Sequence, residues 1–354
     1  MMRVLVASDA WEPQINGVVR SLQQVRDRAP ALGFATDFVT PDAFRSFPMP
    51  GYPEIRLAMA STRALLQRID AFRPDIIHIA TEGPIGLAAR NACLARGLPL
   101  TTSYHTRFPE YLRARLPVPL ALSYAALRRF HGVADGILVS TPSLEADLAA
   151  RGLKNLMRWS RGVDLTQYSP RQSSNTSLKR PIFLNVGRVA VEKNLEAFLA
   201  LDLPGTKMVV GDGPARASLA ARFPDAVFTG AKTGAELAEL YRQADVFVFP
   251  SRTDTFGVVL LEALASGLPV AAYPVMGPKD VIHNTKAGVL AEDLRAAALA
   301  CLDINPEACL ALAARYDWDA SIRQFRDNLE HFAMKWKPVH RNKMRQNKKI
   351  ERPT

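Results

Sequence analysis

Short apolar runs alternate with helical stretches along the whole chain, and this alternation limits the fold more than any other feature. The first half offers strand-like runs at 4–8, 35–40, 76–80, 100–104 and 136–140. The second offers them at 181–186, 207–211, 226–229, 246–250, 270–272 and 288–290. Brief apolar strands separated by helices predict parallel sheets covered on both faces. Two such series in one chain of 354 residues predict an α/β protein of two Rossmann-like, doubly wound domains. A polar, proline-bracketed stretch at 169–181 lacks apolar periodicity and is expected to join them. The expected units are 1–170, 171–318, a helix at 319–334 and a basic tail at 335–354. Within that helix Ile322, Phe325, Leu329 and Phe332 recur at helical spacing.

Composition excludes several classes. A hydrophobic share of 48% and a charged share of 22% suit a chain that buries two cores. Three cysteines, Cys93, Cys301 and Cys309, are too few for a disulfide framework or a zinc site. Buried thiols in a reducing cytoplasm are expected. The apolar start stops at Asp9, as a first strand does and a signal peptide does not. No run reaches the ~18 apolar residues of a spanning helix.

The net charge of +11 is uneven. Residues 335–354 hold eight Lys or Arg against one Glu, a net +7, which leaves +4 for the rest. This tail is expected to be flexible and to solubilise the chain or draw it to anionic lipid, at about 1 kcal/mol per basic residue near the surface. No nucleic-acid motif accompanies the charge, so nucleic acid ranks below both. The stretch 107–131 adds Arg107, Arg113, Arg115, Arg128 and Arg129 among Phe108, Tyr111, Leu112, Leu116, Leu120, Leu122, Tyr124 and Leu127. It reads as an amphipathic basic element suited to a membrane or lipid acceptor.

The chemistry concentrates after two strands. Ser251-Arg252-Thr253-Asp254-Thr255-Phe256-Gly257 follows the apolar run 244–250 and opens a helix at Val258. Unpaired N–H groups at such a helix start attract phosphate. Glu262, farther along that helix, faces the mouth of the sheet and can accept from sugar hydroxyls. Arg188 and Lys193 follow the strand at 181–186. Cations at a strand's carboxyl end suit a diphosphate. Gly17 follows the first strand, in a loop whose backbone can approach phosphate closely. Gly211-Asp212-Gly213 reads as a tight strand-to-helix turn. No complete G-x-G-x-x-G is present, which argues against a nicotinamide dehydrogenase.

These pieces resemble the retaining family-4 glycosyltransferases of the GT-B fold. The resemblance rests on Pro13-Gln14-Ile15-Asn16-Gly17-Val18-Val19, Ser103-Tyr104-His105-Thr106, Arg161-Gly162-Val163-Asp164, Gly187-Arg188 with Lys193-Asn194, Val210-Gly211-Asp212-Gly213-Pro214, and the spacing of Asp254 and Glu262. It spans about residues 3–332, in the family's order. It implies transfer of a hexose from a nucleoside-diphosphate sugar to a hydroxyl acceptor, with the α configuration retained. The acceptor implied is a lipid or lipid-linked glycan at the cytoplasmic membrane face. Arg188 and Lys193 would hold the diphosphate without a metal or other cofactor. His105 would contact the donor sugar, Glu262 the ribose, and Asp254 the sugar hydroxyls. Thr255, Phe256, Gly257 and Val258, with Gly17 and Gly213, would complete the donor site. The C-terminal helix would cross back to the first domain. Asp254 departs from the family's usual Glu, one methylene longer. Rival readings are a sugar epimerase or phosphorylase on the same fold, or a non-catalytic membrane-surface protein. Oligomeric state, the nucleotide's base and the sugar stay open.

Overall fold

The computed structural model describes residues 1–49, 52–170 and 176–350, with 52–54, 114–115 and 335–350 described by backbone alone. Its strands, in chain order, are β1 (Met2–Ala7), β2 (Phe34–Val39), β3 (Ser46–Met49), β4 (Tyr52–Ala58), β5 (Ile76–Ile79), β6 (Leu100–Ser103), β7 (Gly136–Val139) and β8 (Leu156–Arg158). They continue with β9 (Ile182–Val186), β10 (Thr206–Val210), β11 (Val227–Gly230), β12 (Val246–Phe249), β13 (Val270–Ala272) and β14 (Gly288–Leu290). Two six-stranded sheets result, ordered β2-β1-β5-β6-β7-β8 and β11-β10-β9-β12-β13-β14. Neighbouring strands in both sheets pair in parallel. Parallel strands need crossover helices, which bury both faces. Accordingly β5, β6, β7, β9, β12 and β13 are buried at every position.

All eleven expected strands exist, within a residue or two at each end. Three others do not announce themselves. β8 is short and half-buried at a sheet edge, so its burial leaves no clear pattern. β3 and β4 form a separate antiparallel hairpin whose prolines, Pro48 and Pro53 among them, read as loop.

Side chains at the strand ends start the helices. Asn16 caps helix Gly17–Arg28, accepting from Val18 N and Val19 N at 3.0 Å each. Gly17 is therefore the first helical residue, one position later in the architecture than the loop expected for it. Asp9 caps helix Pro84–Arg96 through Ile85 N at 2.8 Å and Gly86 N at 3.2 Å.

The C-terminal helix runs Trp318–Ile350. Trp318, Ile322, Phe325, Leu329 and Ala333 form one buried face, packed with Val4, Val6, Leu22 and Phe34 of the first unit. The sequence reading ends this helix near residue 334. The structure carries it on to Ile350, through a stretch rich in Lys and Arg, which lose little rotamer freedom in a helix. The last four residues of the expected tail, 351–354, and positions 171–175 of the expected linker lie outside the described residues.

Among the described residues no single helix is long and apolar enough to cross a membrane. The bent pair Leu294–Asp303 and Pro306–Ala313 matches only in combination, and its Leu294, Ala298, Cys309 and Leu312 are buried in the second unit. All three cysteines are buried free thiols, each pushed up to about 12 by burial.

His78 lies under the C-terminal helix, its ring 5.0 Å from that of Phe325. Its two nitrogens meet Thr101 Oγ1 at 2.9 Å and Ser103 Oγ at 3.0 Å. Burial first, and then the Arg161 charge, lowers its pKa to about 3. Unfolding frees the ring to protonate at its ordinary value. The stability it contributes is thus complete above about pH 6.5 and lost as pH falls toward the folded value. Unfolding free energies from urea titrations run downward from pH 7 should fall by up to about 1.4 kcal/mol per pH unit for this one group. His78→Gln should flatten that slope. Stability independent of pH between about 6.5 and 4.5 would contradict the assignment.

Candidate active site

In a parallel sheet all carboxyl ends lie along one edge, and here those edges of the two sheets meet. Thr255, after β12, donates through Oγ1 to the backbone oxygen of His105, after β6, at 2.6 Å. Ser140 and Thr141, after β7, donate to the Thr255 carbonyl at 3.4 Å each. Ser143 N donates to Asp280 Oδ1 at 2.9 Å. A Cβ on Gly17 would lie 3.4 Å from Val258 Cγ2, so the starts of two helices, one from each unit, pack together. At the start of helix Val258–Ala265 the N–H groups of Val258 and Val259 have no preceding helical turn to accept from them, while Leu260 N donates to the Gly257 carbonyl at 2.9 Å, and this makes the junction attractive to an anion. Gly257 caps that helix at φ +83°, a conformation that a side chain would strain.

Lys193 and Asp254 form one centre. Nζ lies 2.5 Å from Oδ1, with the side chains 24% and 14% exposed. Burial works against the Lys193 charge, but Asp254 and the Tyr111 hydroxyl outweigh it and hold the ammonium above its ordinary range. Ser251 and Thr253 hydroxyls reach the Glu192 carbonyl at 3.5 and 3.3 Å, and Asn194 Nδ2 reaches the Pro250 carbonyl at 3.1 Å. These bonds tie the Lys193 turn to the Asp254 loop. Asp254 Oδ2 is buried without a hydrogen-bond partner among the described residues. An oxygen in that state can accept from a hydroxyl of a bound ligand. Arg188 stands half-buried just past β9. Gly213 packs against the same loop, where a Cβ would lie 2.5 Å from the Val189 oxygen.

Glu262 is 2% exposed. Its Oε1 pairs with Arg20 of helix Gly17–Arg28, and Oε2 accepts from Tyr241 Oη at 2.9 Å. Arg20 also donates to Tyr168 Oη at 3.1 Å. Both carboxylate oxygens are thus held by protein, and a ribose placed there would share the carboxylate with Arg20 and Tyr241 or displace one of them. A cavity beside the pair is bordered by Arg20, Asp164, Tyr168, Val258 and Trp318.

His105 is neutral. Burial first, then the nearby Arg161 charge and His78, lowers its pKa well below the ordinary value. Phe256 does not face the cleft as a binding side chain. It is 5% exposed, packed in the second core with its ring 6.1 Å from that of Tyr316.

Four side chains at the junction were given no role in the donor site by the sequence. Arg20 lies one turn past Gly17, a spacing that could have marked it. Arg161 belongs to a quoted motif without a task. Tyr111 comes from helix Phe108–Arg115 and hydrogen-bonds Thr253, beside the Lys193–Asp254 pair. Tyr241 left no local signal. Arg107, read as part of a basic stripe, instead pairs with Glu110 at 2.8 Å and approaches Asp147 at 3.8 Å.

Arg188→Ala and Lys193→Ala should each lose about 2–4 kcal/mol of transition-state stabilisation, read as kcat/KM. Lys193→Ala should also lower the thermal midpoint more than Arg188→Ala, because it leaves the Asp254 carboxylate buried without its cation. Near-normal turnover in both variants would remove these residues from the site.

Comparison with known proteins agrees with this layout. The profile of Glycosyltransferase Family 4 matches residues 15–167, and that of glycosyl transferases group 1 matches residues 180–304. The chain is 31% identical over 315 residues to a GDP-mannose-dependent alpha-mannosyltransferase of Mycobacterium tuberculosis, covering 82% of this chain and 83% of that one. It is 25% identical over 353 residues to the alpha-monoglucosyldiacylglycerol synthase of Streptococcus pneumoniae, covering 86% and 79%. Among solved structures, Anabaena HepE in complex with UDP and glucose superposes with a TM-score of 0.69 at 15% identity, covering 93% and 99%.

Proposed function

The chain belongs to glycosyltransferase family 4, with the GT-B fold, and from that premise we propose that it is a retaining α-hexosyltransferase acting on a membrane lipid or lipid-linked glycan. One observation carries the reading. Cations and carboxylates after β9 and β12 assemble against His105 and Gly17 of the other sheet, at the anion-attracting start of helix Val258–Ala265. A nucleoside-diphosphate sugar needs that combination: fixed positive charge for the diphosphate and polar groups for the hexose.

Arg188 and Lys193 supply charge where the diphosphate leaves. Asp254, whose Oδ2 is unpartnered, accepts from a hexose hydroxyl. The anomeric carbon–oxygen bond to the diphosphate breaks while the acceptor oxygen bonds the same face. The acceptor's proton passes to the departing diphosphate oxygen. These cations support a reaction without a divalent metal, so EDTA should leave turnover unchanged. Loss with EDTA and recovery with Mn²⁺ would contradict this part.

The acceptor side is supported by the surface after His105. Phe108, Leu116 and Leu122 are 52%, 53% and 65% exposed, and Arg113, Arg128 and Arg129 are exposed near them. Apolar side chains beside cations suit a bilayer surface carrying anionic lipid. The net +7 at 335–354 favours the same surface. We place the enzyme on the inner face of the cytoplasmic membrane as a peripheral protein.

The M. tuberculosis relative names GDP-mannose and HepE was solved with UDP and glucose, so the donor test spans both bases. Thermal shift should single out one of GDP-mannose, UDP-glucose and ADP-glucose, and that sugar should then be transferred to lipid in vesicles. The protein should sediment with anionic vesicles and release at high salt, as screening shortens the attraction. Equal binding to neutral and anionic vesicles would refute the electrostatic part. No shift and no turnover with any nucleotide sugar would refute the function.

A further inference from the structure

Arg161 is a buried cation, 5% exposed, on the segment that follows β8. One of its nitrogens, Nη1, donates to the carbonyls of Trp159 at 2.7 Å and Ser160 at 3.0 Å. Its guanidinium carbon lies 4.4 Å from the centroid of the Trp159 ring. The other terminal nitrogen, Nη2, is 3.0 Å from His105 Nδ1. A guanidinium has no lone pair to offer, so it can only donate. Nδ1 therefore accepts, and the single proton of the neutral imidazole sits on Nε2. Protonating Nδ1 as well would set one N–H against another.

We propose that Arg161 is the positioning residue of His105, fixing the imidazole as the Nε2–H tautomer so that it meets the donor sugar as a hydrogen-bond donor and takes no proton during transfer. The proposal deepens the glycosyltransferase reading and rests on it for the identity of the ligand. Three further observations bear on it. His105 Nε2 is buried and without a partner among the described residues, so its proton is left for a ligand oxygen. Trp159 meets the ring at a T-shaped 5.7 Å, and Thr255 holds the His105 carbonyl at 2.6 Å from the opposite unit. Ring and backbone are thus both fixed. The titratable or charged groups that act on the ring are Arg161, from the segment after β8, and His78, from β5. His78 is neutral and already bonded to Thr101 and Ser103. Burial lowers Arg161 to about 9, which still leaves it cationic at neutral pH. That cation also polarises the imidazole toward its Nε2–H.

The function follows from the tautomer. A general base needs a bare Nε2, and this arrangement denies it. An Nε2–H donor can hold an oxygen of the hexose while the proton balance of the reaction stays between acceptor and diphosphate.

Long-range ¹H–¹⁵N spectra of the full chain, labelled at histidine, read the tautomer in the parent protein itself. His105, assigned by its loss in His105→Gln, should show the Nε2–H pattern, unchanged between about pH 5.5 and 8.5. An Nδ1–H pattern, or a ring that titrates in that window, would overturn it. Arg161→Met should release Nδ1, let the ring titrate, and lower kcat about 10-fold or more, with an acid limb that the parent lacks. KM for the donor should move less than kcat. Arg161→Lys keeps a donor at that nitrogen and should restore the tautomer and the pH profile. If Arg161→Met titrates like the parent, Arg161 is merely structural and the proposal fails. Should the wild type transfer no sugar while its spectrum shows the fixed tautomer, the glycosyltransferase reading fails and the positioning claim stands.

Discussion

The hydrogen bond from Thr255 to the backbone of His105 joins the two halves of the molecule where their sheets end. Each sheet is parallel, so each delivers its loops to a single edge. Neither edge alone offers both the Lys193–Asp254 pair and the imidazole. Lys193, Asp254 and Arg188 come from the second sheet, His105 and Gly17 from the first. The Thr255 bond, with the Gly17–Val258 contact and the Arg20–Glu262 pair, brings them within reach of one small ligand. Catalysis in such a site depends on how the units close, since the groups are assembled only by that approach.

The charge distribution follows from this. The described cations nearest the junction differ in their partners. Lys193 is matched by Asp254, and Arg20 by Glu262. Arg161 donates to two carbonyls and a neutral ring. No carboxylate among these partners neutralises its charge, which therefore acts as a field on the His105 ring. A low-dielectric setting makes such a field count for more than it would in water. The Arg20–Glu262 pair has a different consequence: a ribose bound at Glu262 would draw on the same carboxylate that holds the two units together here.

Much of the fold was legible because buried parallel strands are nearly uninterrupted apolar runs. The runs at 246–250 and 136–140 could be read as strands from composition alone. The hairpin β3–β4 could not, since Pro48 and Pro53 mask its period, and β8 is too short to show one. Legibility of the site was of another kind. His105, Lys193, Asp254 and Glu262 stand out as motifs, each local in sequence. Their partners are remote: Arg20 meets Glu262, Arg161 meets His105, and Tyr111 meets Thr253 across the junction. No pattern in one segment encodes a contact that exists only once two units pack. Phe256 is the opposite case, a residue in the quoted motif whose side chain lies in the core.

The central claim is that one composite junction transfers a hexose with its configuration kept. Proton NMR of the glycoside newly formed from an α-linked nucleotide sugar tests it most directly. The account predicts an α-anomeric signal in the first product, before any equilibration. A β-anomeric product would contradict retention, and consumption of the donor without any glycoside would contradict transfer itself.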